Sequence, residues 1–335
     1  MPTDLDVICI GNAIVDVLSH AADDDIVRLD LNRGTMTLIE EDRAAELYAA
    51  MGPAVEASGG SAANTAAGIA SLGGRAGFIG KVRDDAFGQI FAHDIKAIGV
   101  DFPTPPATEG PPTASCYIFI TSDAHRTMNT YLGACVNLTP QDIDPAFIGR
   151  AQVTYMEGYL WDRPAAKDAF LTAAREAHGH GRKVSLTLSD PFCVDRHRDS
   201  FRDLVKGHVD ILFANEDEIV SLYQVADFDA ALQHARADCQ IAALTRSEKG
   251  SVVIAGDEVH IVDAEAVPHV ADTTGAGDLY ASGFLYGLTN GHDLATCGRL
   301  GAIAAGEVIS HVGSRPEVPL KDFAEERLGL KGAAD

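Results

Sequence analysis

The sequence predicts an α/β fold: a doubly wound, mostly parallel sheet flanked by helices, with a small β lid. Three observations carry this. From Val153 onward, short apolar runs alternate with helical stretches, the pattern of parallel strands joined by crossover helices. Asp272-Thr-Thr-Gly-Ala-Gly-Asp278 runs straight into the apolar stretch Leu279–Leu288, which reads as a tight glycine turn opening a buried helix. Three β-like segments, Thr35–Ile39 and the pair Ala114–Thr121 and Thr127–Leu132, interrupt the alternation. They are assigned to a lid of residues 19–39 and 113–132, leaving 1–18, 40–112 and 133–335 to the core.

In chain order, Val7–Ile10 is a short apolar run stopped by Gly11, a buried strand. If extension continues past it, Asn12 and Asp16 share a face, since side chains repeat every two residues. Such a polar pair suits vicinal hydroxyls, and a turn-forming Asp is the plainer alternative. Glu40–Met51 has helical character. Gly59–Gly60 lets backbone touch a ligand, Ser61 is a candidate N-cap, and Asn64 falls in the first helical turn. Gly77–Val82 reads as a strand, Phe87–Ile98 as a helix, and Thr104–Pro112 as an irregular proline-rich connection. Strands follow at Val153–Tyr159, Val184–Leu188, Ile211–Ala214 and Ile241–Thr245. Helices separate them at Ala165–His178, around Asp199–Val205, and at Phe228–Ala237. Ser251–Ala255 and Val259–Val262 form an edge hairpin, and helices Gly277–Asn290 and Leu294–His311 close the core. In such a fold, ligands sit at the carboxyl ends of the strands.

Composition narrows the partners. A formal net charge of −23 over 335 residues argues against nucleic acid or an anionic membrane surface. Any phosphate must therefore be held by local N–H groups, a few Lys or Arg side chains and a divalent cation. Six scattered cysteines without a C-x-x-C pair indicate a reduced, cytoplasmic protein without a zinc site. No run approaches membrane-spanning length.

The chemistry concentrates at strand ends. The first N–H groups of the helix after Gly275 lack intrahelical partners and face the positive end of its dipole, so they suit a phosphate. Asp278 would repel that anion, unless its task is to receive a proton from the nucleophile attacking it. The plainer reading is a helix cap, with Asp272 or Thr274 as N-cap. Asn215 and Glu218 lie three apart at the end of the Ile211–Ala214 strand, suited to Mg²⁺ through water or to simple capping. Thr245, Arg246, Lys249 and Gly250 offer a hydroxyl and two cations to ATP phosphates, or form a solvated turn.

Together these pieces resemble the ribokinase-like carbohydrate kinases, the family that includes adenosine kinase, over nearly the whole chain. Asp272–Asp278 matches the family's C-terminal signature throughout. Gly59-Gly60-Ser-Ala-Ala-Asn64, with Gly73 beyond, is similar to its N-terminal, sugar-holding signature. Gly11-Asn-Ala-Ile-Val-Asp16 looks like the first strand end of adenosine kinases. The lysine that ribokinases carry in the glycine loop is absent, with Ser61–Ala62 instead, and Arg83 stands where many members have glycine. The resemblance implies that Asp278 is the catalytic base and that the N–H groups of Gly275, Ala276, Gly277 and Asp278 form an anion hole. It also implies that Glu157 contacts the acceptor, and that Ala302, Ala305 and Ile309 line an adenine pocket.

The expected function is ATP- and Mg²⁺-dependent phosphorylation of a primary hydroxyl, with the 5′-hydroxyl of adenosine favoured. A sugar kinase acting on ribose, fructose or 2-keto-3-deoxygluconate is the alternative, and a non-catalytic sensor is a more distant one. An adenosine enzyme needs an aromatic slot, for which Tyr159, Trp161 and Phe119 are candidates. Dinucleotide oxidoreductases and Walker-type kinases are excluded by the missing G-x-G-x-x-G and G-x-x-x-x-G-K-[ST] motifs. A monomer or homodimer is expected, the latter through the lid edge.

Overall fold

The structure, a computed structural model, describes residues 3–123 and 125–329. Its strands are β1 (Leu5–Ile10), β2 (Ile14–His20), β3 (Met36–Leu38), β4 (Ala54–Gly59), β5 (Ala76–Ile79), β6 (Ala114–Ile120) and β7 (Arg126–Tyr131). They continue as β8 (Ala151–Glu157), β9 (Lys183–Thr187), β10 (Ile211–Asn215), β11 (Ile241–Thr245), β12 (Ser251–Ala255) and β13 (Glu258–Val262). Eight strands form one sheet in the order β13-β12-β11-β10-β9-β8-β1-β5, and five form a second in the order β3-β7-β6-β2-β4.

In the larger sheet, every pairing from β11 to β5 is parallel, whereas β11–β12 and β12–β13 pair antiparallel at the edge. All six residues of β1 are buried, as a strand covered on both faces requires. Ile8 and Ile10 point to one side, with the helices Pro164–Gly179, Pro191–His208, Glu216–Tyr223 and Phe228–Asp238. Val7 and Cys9 point to the other, toward Ser61–Ser71, Ala86–Ala97 and Ala276–Thr289. The expected doubly wound core is therefore present.

The second sheet is wider than the predicted lid, because β2 and β4 belong to it. Extension does not continue from β1 into β2. The chain leaves the strand at Gly11 and crosses to the second sheet, so Asn12 lies at the crossing and Asp16 on β2. One face of this sheet carries Val15, Val17, Tyr117, Phe119 and Tyr131, packed against helices including Glu41–Ala50 and Ala86–Ala97. The opposite face carries Asp16, Leu18, Cys116, Ile118, Arg126 and Met128, with Met36 and Leu38 beside them on β3.

The two closing helices touch through glycine. A Cβ on Gly283 would collide with the Leu300 carbonyl and approach the Gly301 nitrogen to 2.7 Å. Overpacking a close contact of this kind costs about 1–3 kcal/mol. Gly283→Val is thus expected to lower stability by about 2 kcal/mol, readable as a lower urea midpoint with an unchanged slope.

Candidate active site

The helix Ala276–Thr289 begins with Gly275 as N-cap, in the left-handed region at φ 81° and ψ −2°. The predicted caps Asp272 and Thr274 do not take that role. A glycine is demanded twice over, since a Cβ there would sit 2.8 Å from the Ser314 carbonyl. Ala276 N–H is used by the Thr273 carbonyl at 3.2 Å. The N–H groups of Gly275, Gly277 and Asp278 have no acceptor among the described residues. Three of the four expected anion-hole donors are free, and Ala276 is not.

Asp272 instead ties the turn together. One carboxylate oxygen accepts from Thr274 N–H (2.9 Å) and Thr274 Oγ1 (2.7 Å), and the other from Gly313 N–H (3.1 Å). The second oxygen also meets Arg126 Nη1 at 2.8 Å, a nearly buried pair. Arg126 comes from β7, so the second sheet is anchored directly on the glycine turn. Nothing in the local sequence around Arg126 marks it, because the pairing spans 146 residues.

Asp278 accepts from Ser61 Oγ at 2.6 Å and from Asn64 Nδ2 at 3.1 Å. Burial raises its pKa to about 6, while both donors pull the other way. Ser61 is not the N-cap; Gly60 is, with φ 99° and no side-chain bond. That leaves the Ser61 hydroxyl free to face Asp278. Gly59 leaves room for Asp16, whose carboxylate a Cβ at 59 would strike. Burial likewise raises Asp16 to about 6, moderated by the Arg126 and Arg315 charges.

Glu157, expected to contact the acceptor, is engaged by the protein itself. It is 1% exposed, and its carboxylate accepts from Asn12 Nδ2 (2.7 Å), Asn12 N–H (3.3 Å) and Ala62 N–H (2.9 Å). Those bonds hold Asn12 and the start of the Ser61–Ser71 helix in place. Tyr159 is half exposed, its N–H on Ser189 Oγ at 3.3 Å. Burial raises its phenol well above the usual range, with the Asp190 and Asp278 carboxylates adding to the rise. The other two aromatic candidates are core. Trp161 packs between Phe170 and Phe201 with its indole N–H on Ser200, and Phe119 lies on the packed face of the second sheet.

At the next strand ends, Asn215 and Glu218 form a reciprocal capping box. Asn215 Oδ1 accepts from Glu218 N–H at 2.8 Å, while Glu218 accepts from Asn215 N–H (2.9 Å) and Nδ2 (2.7 Å). Burial raises Glu218 to about 7. With Glu216, Asp217, Thr245, Arg246, Ser247, Glu248 and Lys249, Asn215 lines a cavity of about 210 Å³. Arg246 is already engaged, bidentate to Glu216 at 3.1 and 3.2 Å and lying over the Phe228 ring. Lys249 is the more exposed cation, 3.8 Å from Glu216. Gly250, at φ 81°, closes the turn by giving its carbonyl to Arg246 N–H. Ala302 is buried and Ala305 half-buried on the Leu294–Val308 helix, while the Ile309 carbonyl accepts from Ala271 N–H at 2.8 Å. Among the described residues, no group of three or more His, Cys, Asp or Glu side chains is placed to hold a metal, and no helix is long and apolar enough to cross a membrane.

A model of the pfkB family of carbohydrate kinases matches residues 34–321. The chain belongs to the pfkB carbohydrate kinase family. Like the kinases it resembles, this pfkB member is an ATP-dependent phosphotransferase with an alcohol acceptor. An adenosine kinase structure from Sinorhizobium meliloti is 54% identical, with a TM-score of 0.89, covering 97% of this chain and 100% of that one. A Rhizobium etli protein described as a probable sugar kinase is 53% identical, with a TM-score of 0.89 and coverage of 98% and 99%. The 5-dehydro-2-deoxygluconokinase of Geobacillus thermodenitrificans is 28% identical over 279 residues, 80% of this chain and 83% of that protein.

Proposed function

We propose that this pfkB kinase transfers the γ-phosphoryl group of ATP to the 5′-hydroxyl of adenosine. What carries the choice of acceptor is the 54% identity to an adenosine kinase across 97% of the chain. The face of the second sheet around Asp16 supports it, with Leu18, Met128, Met36 and Leu38 offering an apolar wall for a purine. Asp16 accepts from ribose hydroxyls, with Asn12, Gly59, Gly60 and Asn64 completing that side. The acceptor oxygen bonds to the γ-phosphorus, the bond from phosphorus to the departing ADP oxygen breaks, and the acceptor proton passes to Asp278. The free N–H groups of Gly275, Gly277 and Asp278 take up the charge of the moving phosphoryl group.

ATP phosphates occupy the side of the cavity lined by Thr245 and Lys249. Magnesium, when bound, neutralises phosphate charge. Asn215 and Glu218 fit it only through its water, because both Glu218 oxygens already accept from Asn215. We place the enzyme in the cytoplasm, as six free, buried cysteines suit, acting as a monomer or homodimer.

The curated relative named above favours a second reading, a kinase for a deoxy-keto sugar acid. A coupled ADP-release screen decides between them, using adenosine, inosine, ribose, fructose, 2-keto-3-deoxygluconate and 5-dehydro-2-deoxygluconate. Adenosine is expected to show the highest kcat/KM. A free sugar or sugar acid exceeding it by about tenfold overturns the nucleoside reading, and no turnover with any acceptor points to a sensor.

A further inference from the structure

Arg315 lies beyond the Leu294–Val308 helix, in a stretch that carries no motif. Its Nε donates to Asn64 Oδ1 at 3.3 Å, and its Nη1 lies 3.4 Å from Asp94 Oδ2. The same Asp94 oxygen accepts from Ser58 N–H (2.8 Å) and Ser58 Oγ (2.5 Å) on β4 of the second sheet. At the other end, Asn64 Nδ2 donates to Asp278. The groups form one continuous line, Ser58–Asp94–Arg315–Asn64–Asp278.

We propose that Arg315 is a positioning residue, which orients Asn64 toward Asp278 and couples that orientation to the seating of the second sheet. An amide side chain has one accepting end and one donating end. A guanidinium on the accepting end leaves only the NH₂ for Asp278. The flipped amide would set its carbonyl oxygen against the Asp278 carboxylate and its NH₂ against Arg315, so both contacts would turn repulsive. Asp278 then keeps two fixed donors, Ser61 and Asn64, and its remaining lone pairs face the acceptor. As an ion pair for stability alone Arg315 is poorly built. Its contacts are long, and Nη2 is buried without a partner among the described residues, a costly arrangement for a cation. That cost is intelligible if the side chain serves the base. Because Ser58 belongs to β4, a displaced sheet would move Asp94 and slacken the whole line.

This inference rests on the reading of Asp278 as the base, so Asp278→Asn is run beside it. The variants are Arg315→Met, Arg315→Lys, Asn64→Ala and the double variant Arg315→Met with Asn64→Ala. Each is measured for kcat, for KM of ATP and the best acceptor, and for melting temperature. Arg315→Met is expected to lower kcat by about 10- to 100-fold with little change in the KM of ATP, since small misplacements of reacting groups cost that much. Arg315→Lys keeps the charge beside Asp94 but not the forked donor, so it should retain the melting temperature and still lose kcat. It also carries the test if the methionine variant does not fold. In kcat the double variant should be no slower than Asn64→Ala alone, because the effect of Arg315 on the base passes through Asn64, while loss of its charge near Asp16 is read in the KM of the acceptor. Additive losses in kcat, or a kcat restored by lysine, overturn the inference while Asp278→Asn keeps its large loss of kcat. An active Asp278→Asn overturns the base assignment, and this inference with it.

Discussion

Asp278→Asn is expected to lower kcat by about 10²–10⁴-fold while the KM values of ATP and acceptor move little. A free Asp has a pKa of about 3.9, far below that of an alcohol, so it cannot ionise the hydroxyl in advance. It does not need to. In a loose phosphoryl transition state the nucleophile bonds late, and the proton leaves late with it. In the proposed role, the burial that raises the Asp278 pKa to about 6 would make the carboxylate a better proton acceptor. The sign of the pH dependence follows. A base in this role must be deprotonated, so kcat/KM should fall as pH drops through about 6 and level off above it. Asparagine keeps the shape of the side chain but accepts no proton, so its residual rate should lack that acidic limb. Stopped assays of kcat/KM between about pH 5 and 8 check both statements. Near-normal turnover of the variant would remove Asp278 from the role.

How far the sequence disclosed this site depended on how local each signal was. The glycine turn was legible because its chemistry is contiguous: a left-handed Gly275, free amides and Asp278 all lie within one turn of chain. The parallel core was legible for a similar reason, since alternation of short apolar runs with helices is read one segment at a time. The second sheet was only half legible. The strands β6 and β7 announce themselves as a hairpin, but β2 joins β4 and β6 through pairings across tens of residues. Long-range partners explain the other gaps. Arg126 and Arg315 meet Asp272 and Asn64 at separations of 146 and 251 residues, and neither sits in a motif. Asn215 and Glu218 show the converse. Their spacing of three suits a capping box as well as a metal shell, and the structure displays the box.

Glu157→Ala should be the more damaging change to the fold, at about 3 kcal/mol, and should lower kcat/KM by at least about 10². The helix Ser61–Ser71 starts at Gly60, which has no side chain to satisfy the first amides. Glu157 supplies that acceptor from the end of β8, taking Ala62 N–H at 2.9 Å together with two donors of Asn12. Removing it would leave three buried donors without their partner at the turn that presents Ser61 and Asn64 to Asp278. Glu157→Gln separates shape from charge. Its amide oxygen can serve part of the set, but its NH₂ faces a donor, so an intermediate loss is expected. Charge then enters through pH. Burial raises the folded-state pKa of Glu157 from 4.5 to about 7, against the pull of its donors. The neutral form is favoured by folding, so this contribution is full below about 4.5 and is lost as pH rises through about 7. Urea unfolding at about pH 5 and pH 8 should show wild type losing stability across that window, with a shallower decline in Glu157→Gln. Parallel declines in the two proteins would mean that another buried acid, such as Glu218, carries the titration, because it is raised to about 7 by the same physical cause.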